Sequence, residues 1–252
     1  MKIHPLPARY GVEILRCEVG STLHGTGLDG GEDRDEMGIF LETKRTTIGL
    51  GKVEQYEHRT QPQGHPSGPG DLDLTVYSAR KWCRLALNGN PSILLPLFAP
   101  QSAIVVSTEE GHRLWRLRSK IVSRHAGPRF LGYLNGQRER LLGRRARHGR
   151  TRKMPDGSHD PKYAMHMLRL GYQGIELMRT GSIRLPMDDE RGDYLRVVRR
   201  GEVGLDEVLT QAERLEQELT RAIDTSHLPE VPDEKAIETW LIDAHERSWR
   251  VA

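Results

Sequence analysis

Three aspartates and a glycine-serine pair carry the chemistry open to this sequence. Gly20-Ser21 closes the apolar run Val12–Val19, and Asp33-Arg34-Asp35 opens a second one, Met37–Leu41. Downstream, Asp71-Leu72-Asp73-Leu74-Thr75-Val76-Tyr77 alternates with period two, so Asp71 and Asp73 share one strand face. Carboxylates brought together on adjacent strands can hold two divalent cations about 3.5–4 Å apart, the arrangement used for in-line displacement at phosphorus. A glycine-serine turn into a short helix offers backbone N–H groups and a hydroxyl to phosphate oxygens. Together these residues predict phosphoryl transfer from a nucleoside triphosphate. By composition alone, Glu32–Glu36 is also a solvated acidic turn. Its position at the edge of an apolar strand argues for a cation, because adjacent carboxylates there are costly without one.

The elements that must position these side chains follow from pattern. Residues 12–19 predict a strand, 21–26 a short helix, and about 35–42 a second strand. Thr46 to Tyr56 predicts a further strand or hairpin, residues 59–70 a Pro/Gly-rich loop, and Asp71–Tyr77 another strand. Ser78 can cap a helix from Ala79 to about Leu87, Asn90-Pro91 restarts a short helix, and Ala103–Val106 is a short strand. From Thr108 to about Thr180 the pattern is mostly helical. Asp160-Pro161 opens the clearest helix and Gly181 ends it; an amphipathic helix covers 204–223, and a last one bears Trp240 and Leu241. This is an α/β (α+β) chain: a mixed-sheet core over residues 1–106, then a mainly helical domain over 107–252.

Composition narrows the function. The formal net charge of +3 hides an asymmetry. Residues 1–110 carry 11 Lys/Arg against 14 Asp/Glu, residues 111–186 carry 18 against 4, and residues 187–252 carry 9 against 17. A basic middle between acidic ends predicts a polyanionic partner, a triphosphate or a nucleic-acid strand. Mean hydropathy is −0.61, and no apolar run approaches the roughly 18–20 residues of a membrane span. Met1–Pro5 lacks the apolar stretch of a signal peptide, and Cys17 and Cys83 read as core thiols of a reducing compartment. The expectation is a cytoplasmic enzyme without a membrane partner. No Walker A sequence and no Ser-His-Asp logic occur, which disfavours a P-loop kinase and a serine hydrolase.

The order strand, Gly20-Ser21, Asp33-x-Asp35, then Asp73 on a later strand resembles the DNA polymerase β-like nucleotidyltransferase superfamily. More narrowly, the chain resembles the bacterial and phage nucleotidyltransferase family associated with RNA repair. The stretches that carry this are Val19-Gly20-Ser21, Asp33-x-Asp35-x-x-Gly38-Ile39, Asp73–Ser78 with Lys81 and Asn90-Pro91, and Lys162–Leu170. The resemblance implies a polymerase β-like core in which Asp33, Asp35 and Asp73 hold Mg²⁺ (or Mn²⁺). In it Asp73 helps deprotonate the acceptor hydroxyl, while Gly20 and Ser21 hold the β- and γ-phosphates. Relatives place apolar residues where this chain has Arg34 and Glu36, and often Ser where it has Glu32. If Arg34 neutralised Asp33 or Asp35, metal affinity would suffer.

Two further stretches bear on the anion. Lys162, His166, Arg169, Gln173 and Glu176 recur at helical spacing and form one stripe. That stripe is either an ordinary solvated face or a cleft wall in which Lys162 and Arg169 meet phosphates and His166 acts as donor or proton carrier. Arg138 to Lys153 contains eight Lys/Arg and one acid, with Arg140, Arg144 and Arg147 grouped by helical spacing. With Phe130 and Tyr133 nearby, this predicts a groove for an RNA or DNA strand. The expected reaction is transfer of a nucleoside monophosphate (NMP) from an NTP to a hydroxyl, with release of pyrophosphate. The same carboxylates would also serve a metal-dependent phosphodiesterase or nuclease, and a degenerate site would leave a non-catalytic nucleic-acid binder.

Overall fold

The computed structural model describes residues 3–28, 33–51, 53–62, 65, 67–144, 159–187 and 189–251. Its sheet is built from β1 (Gly11–Glu18), β2 (Arg34–Glu42), β3 (Gln55–Arg59), β4 (Leu72–Ser78) and β5 (Ile104–Ser107), in the order β3-β4-β2-β1-β5. Only β2 and β4 run parallel; the other pairs are antiparallel, so the sheet is mixed. Short helices α1 (Gly20–His24) and α2 (Lys44–Ile48) follow β1 and β2, and α3 (Ala79–Leu87) follows β4. After β5 the described elements are all helical: α4 (Glu109–Arg116), α5 (Arg118–Ile121), α6 (Ala126–Leu141), α7 (Pro161–Thr180), α8 (Glu190–Arg199), α9 (Leu205–Asp224) and α10 (Glu234–Val251). None is long and apolar enough to cross a membrane.

Alternation along the central strands decides what faces where. In β2, Met37, Ile39 and Leu41 enter the large hydrophobic cluster shared with the helices, while Phe40 joins Leu72, Leu74 and Val76 of β4 in a small cluster on the other face. Asp33 and Asp35 have the parity of Met37, so they stand on the helix-bearing face. Gly38 has the parity of Phe40, and a Cβ there would lie 2.7 Å from Glu13 Oε1 and 2.9 Å from the Val76 side chain. The last helix, α10, returns to the sheet. His245 faces two acceptors, Glu42 Oε2 at 2.9 Å and Leu241 O at 2.8 Å, and Trp249 Nε1 donates to Glu42 O.

Several helix ends obey their caps. Asp160 accepts from Lys162 N, Pro161 starts α7, and Gly181 ends it. One expectation is corrected: Thr46–Tyr56 is not a single strand or hairpin. The Thr43 hydroxyl accepts from Thr46 N and caps α2, which overrides the β-preference of Thr46, Thr47 and Ile48; β3 begins only at Gln55. A second correction concerns Asn90-Pro91, which opens a turn and then a 3₁₀ segment at Leu95–Leu97.

Candidate functional site

The parallel pairing of β2 with β4 sets Asp35 directly beside Asp73. Asp33, two residues before Asp35, completes the group: one carboxylate oxygen from each of the three lies within 4.8 Å of the others. All three are half-buried. Gly20 is packed against Asp35 of this trio. Its φ of +71° belongs to the left-handed region, and an added Cβ would overlap Asp35 Oδ2. Val19 N donates to Asp35 O at 2.8 Å, tying the elbow to the acidic strand. Ser21 occupies the first turn of α1, half-buried. An all-oxygen, all-carboxylate donor set of this size suits a hard divalent cation such as Mg²⁺ or Mn²⁺.

The Arg34 side chain pairs with Glu36. It has the opposite parity to the aspartates, and its Nε lies 3.0 Å from Glu36 Oε1. Glu36 also meets Arg16 (3.1 Å), which in turn grips Glu13 through two bonds of 2.6 and 2.7 Å. Arg16 and Glu36 are almost fully buried, at 0% and 2% exposure. Beneath the acidic strand therefore runs a charged layer in which each group is paired.

Asp73 has an unexpected set of partners. Arg59 Nε (2.5 Å) and Gln61 Nε2 (3.0 Å) donate to its Oδ1; Ser67 Oγ (2.7 Å) and the second Arg59 nitrogen (3.2 Å) donate to Oδ2. Burial pushes the Asp73 carboxyl up, but the hydrogen bonds from Arg59, Ser67 and Gln61 outweigh it, and the net shift is downward. Asp71, by contrast, precedes β4 and accepts from Thr60 Oγ1 and Gly68 N, holding the turn. The Arg59 arrangement was not predicted. Arg59 and Asp73 are direct partners across β3 and β4, a register that the Pro/Gly-rich reading of residues 59–70 conceals.

The α7 stripe changes character along its length. Lys162 is exposed, His166 and Arg169 are half-buried, and Gln173 is buried. Gln173 Nε2 donates to His24 Nδ1 at 3.0 Å, which leaves the ring proton of neutral His24 on Nε2. The stripe's inner end thus meets α1 instead of solvent. Burial drives His24 far below the usual histidine range, and Arg169 and His166 push the same way. Burial likewise pushes the Arg169 guanidinium down to about 10, with Arg199 adding to it. The α1 end is held from outside by Met187 N on His24 O and by Arg196 on Gly25 O at 2.6 Å.

The basic stretch is divided. Arg140 lies in the last turn of α6, but Gly143, at φ +70°, ends the helix. Arg144 therefore does not continue Arg140's helical face, and it pairs with Glu139 at 3.5 Å. Arg147 lies outside the described residues. The grouping of Arg140, Arg144 and Arg147 on one helix side is corrected to this extent. Arg140 instead shares a cleft with Arg129 and Arg169.

A family model described as "RNA repair pathway DNA polymerase beta family" matches residues 1–243. No curated protein matches the chain. Among solved structures, the chain is similar to a nucleotidyltransferase-like protein from Exiguobacterium sibiricum 255-15 at 11% identity and a TM-score of 0.31, covering 94% of this chain and 70% of that one.

Proposed function

This chain belongs to the RNA repair pathway DNA polymerase beta family, and we propose on that premise that it moves an NMP from an NTP to a hydroxyl acceptor such as an RNA end. The observation that carries the reading is the convergence of Asp33, Asp35 and Asp73 within 4.8 Å, beside the Gly20-Ser21 elbow. Residues 1–106 supply this core in our reading, and residues 107–252 the helical part that closes over the nucleotide.

Asp33, Asp35 and Asp73 would hold Mg²⁺ or Mn²⁺, which supplies charge neutralisation at the phosphates. Gly20 and Ser21 bind the β- and γ-phosphates with backbone N–H groups and the hydroxyl. Lys162, His166 and Arg169 meet the anion from α7. Asp73, kept ionised by Arg59, accepts the proton of the acceptor hydroxyl as the acceptor oxygen bonds to the α-phosphorus. The bond from that phosphorus to the bridging oxygen breaks, and pyrophosphate leaves with the electron pair. Catalysis of this kind is mainly positioning and electrostatics. Cys17 and Cys83, both buried free thiols, suit a reducing cytoplasmic setting.

The test is pyrophosphate release from each labelled NTP with Mn²⁺ and a panel of RNA ends. Asp35→Asn should lower the rate by about 10²–10³-fold while far-UV circular dichroism stays unchanged. Equal turnover by the variant overturns the assignment. Cleavage of a labelled strand without pyrophosphate would instead make the protein a phosphodiesterase.

A further inference from the structure

Between α6 and α7 the surface opens into a polar cleft of about 500 Å³. Its walls carry Arg129, Arg140 and Arg169, with Ser92, Tyr133 and Gln137 between them, and among the described residues no Asp or Glu lines it. Among the described residues, none of the three arginines is ion-paired. Arg140 Nε, Arg169 Nε and Gln137 Oε1 are buried there without a hydrogen-bond partner. The nearby carboxylates are engaged elsewhere: Glu216 pairs with Arg138 at 2.8 Å and Glu139 with Arg144. Buried, unpartnered cationic donors cost free energy until an anion supplies acceptors.

Two features select a chain of phosphates over a single anion. Arg129 and Arg140 stand three turns apart on α6, roughly 16 Å at 1.5 Å per residue. One phosphate group does not span that separation, whereas successive phosphates of a strand do. At the rim, Tyr133 is 40% exposed, and its hydroxyl is fixed by Asn90 Nδ2 at 2.8 Å. Beside it, a Cβ added at Gly132 would meet nothing within 4 Å, so the floor next to the ring is open. A fixed aromatic ring over open floor is a stacking platform for a base.

We infer that the α6–α7 cleft binds a single-stranded nucleic acid, with Arg129 and Arg140 on its phosphates and Tyr133 against a base. The role of that strand as acceptor rests on the function proposed above; its binding does not.

Anisotropy of fluorescein-labelled 12-nucleotide RNA and DNA strands, in EDTA across a salt series, tests the cleft without catalysis. The double variant Arg129→Ala/Arg140→Ala should raise Kd at least about tenfold and reduce the salt slope by roughly 1.4, about 0.7 per lost phosphate contact. Gly132→Leu fills the floor, so it should weaken the strand similarly with no fall in Tm. NTP binding with Mn²⁺, followed by calorimetry, should change less than about twofold in both variants. The inference is overturned if the wild-type chain binds neither strand, if both variants bind as wild type does, or if NTP affinity falls in parallel, which would make the cleft the triphosphate's own. Strand binding that depends on the cleft in a protein that turns over no NTP would sink the catalytic reading and uphold this one.

Discussion

Replacing Gly20 with alanine probes the contact that sets Asp35 in place. A Cβ at this position would overlap Asp35 Oδ2, well inside the 3.0 Å that real Cβ contacts keep, so the oxygen must retreat by more than about 0.5 Å. Metal–oxygen distances tolerate about ±0.2 Å. A displacement this large should therefore lower Mn²⁺ affinity by about 10–100-fold, the loss typical when a ligand loses its orienting neighbour. The left-handed backbone at φ +71° adds a second effect. A residue with a Cβ pays about 1–2 kcal/mol there, and at about 2–4 °C per kcal/mol for a chain of this size, Tm should drop by roughly 2–8 °C. Calorimetric Mn²⁺ titration, thermal melts and pyrophosphate release measure the three consequences separately. Gly51→Ala is the control, because an added Cβ there meets nothing within 4 Å. A Gly20→Ala protein with the expected fall in Tm but Mn²⁺ affinity within twofold of wild type would refute the reasoning, since Asp35 would then not coordinate.

Other perturbations have signs that follow from the same structure. Arg59 helps to hold Asp73 below the ordinary carboxylate range, so Arg59→Ala should move the acid limb of the rate–pH profile to higher pH; an unmoved limb would separate Asp73's ionisation from turnover. His24 stays neutral when folded but takes up a proton near 6.5 when unfolded. Stability should be complete above that pH and decline as pH falls below it, with urea midpoints showing a flatter decline in His24→Gln; equal slopes would show that another group is responsible. His245→Ala leaves Glu42, 2% exposed, without its 2.9 Å partner. The loss should be about 3 kcal/mol and Tm should fall by roughly 6–12 °C; a fall under about 3 °C by circular dichroism would mean that α10 is held by other contacts.

What could be read in advance, and what could not, divides by the range of the interaction. Asp160, Pro161 and Gly181 mark the ends of α7 through bonds to their own neighbours, and such local signals survive folding. Asp35 and Asp73 meet because both lie on the same face of adjacent strands, which period-two alternation exposes. Thr46–Ile48 misleads because three β-branched residues look like strand until the Thr43 cap is counted. Hidden too were the meetings set by register or packing: Arg59 on Asp73, Gln173 on His24, and Arg129 in one cleft with Arg169. Each depends on register or helix packing, and residue type alone does not encode it. α8, capped by Asp189, also went unread, although its cap accepts from Arg191 N and Gly192 N.

The paired charges under β2 have a consequence for how this family can vary. Sliding β2 by one position would thrust Arg34 and Glu36 into the cation site and sink two aspartates against Leu72, Leu74 and Val76 of β4. Arg16 and Glu13 make that exchange unfavourable from below, so the ladder is keyed on both sides. Descendants that swap this layer for oil must therefore change its members in concert. A lone replacement strands an ion in the dark of the protein, whereas a joint one leaves the acids above undisturbed.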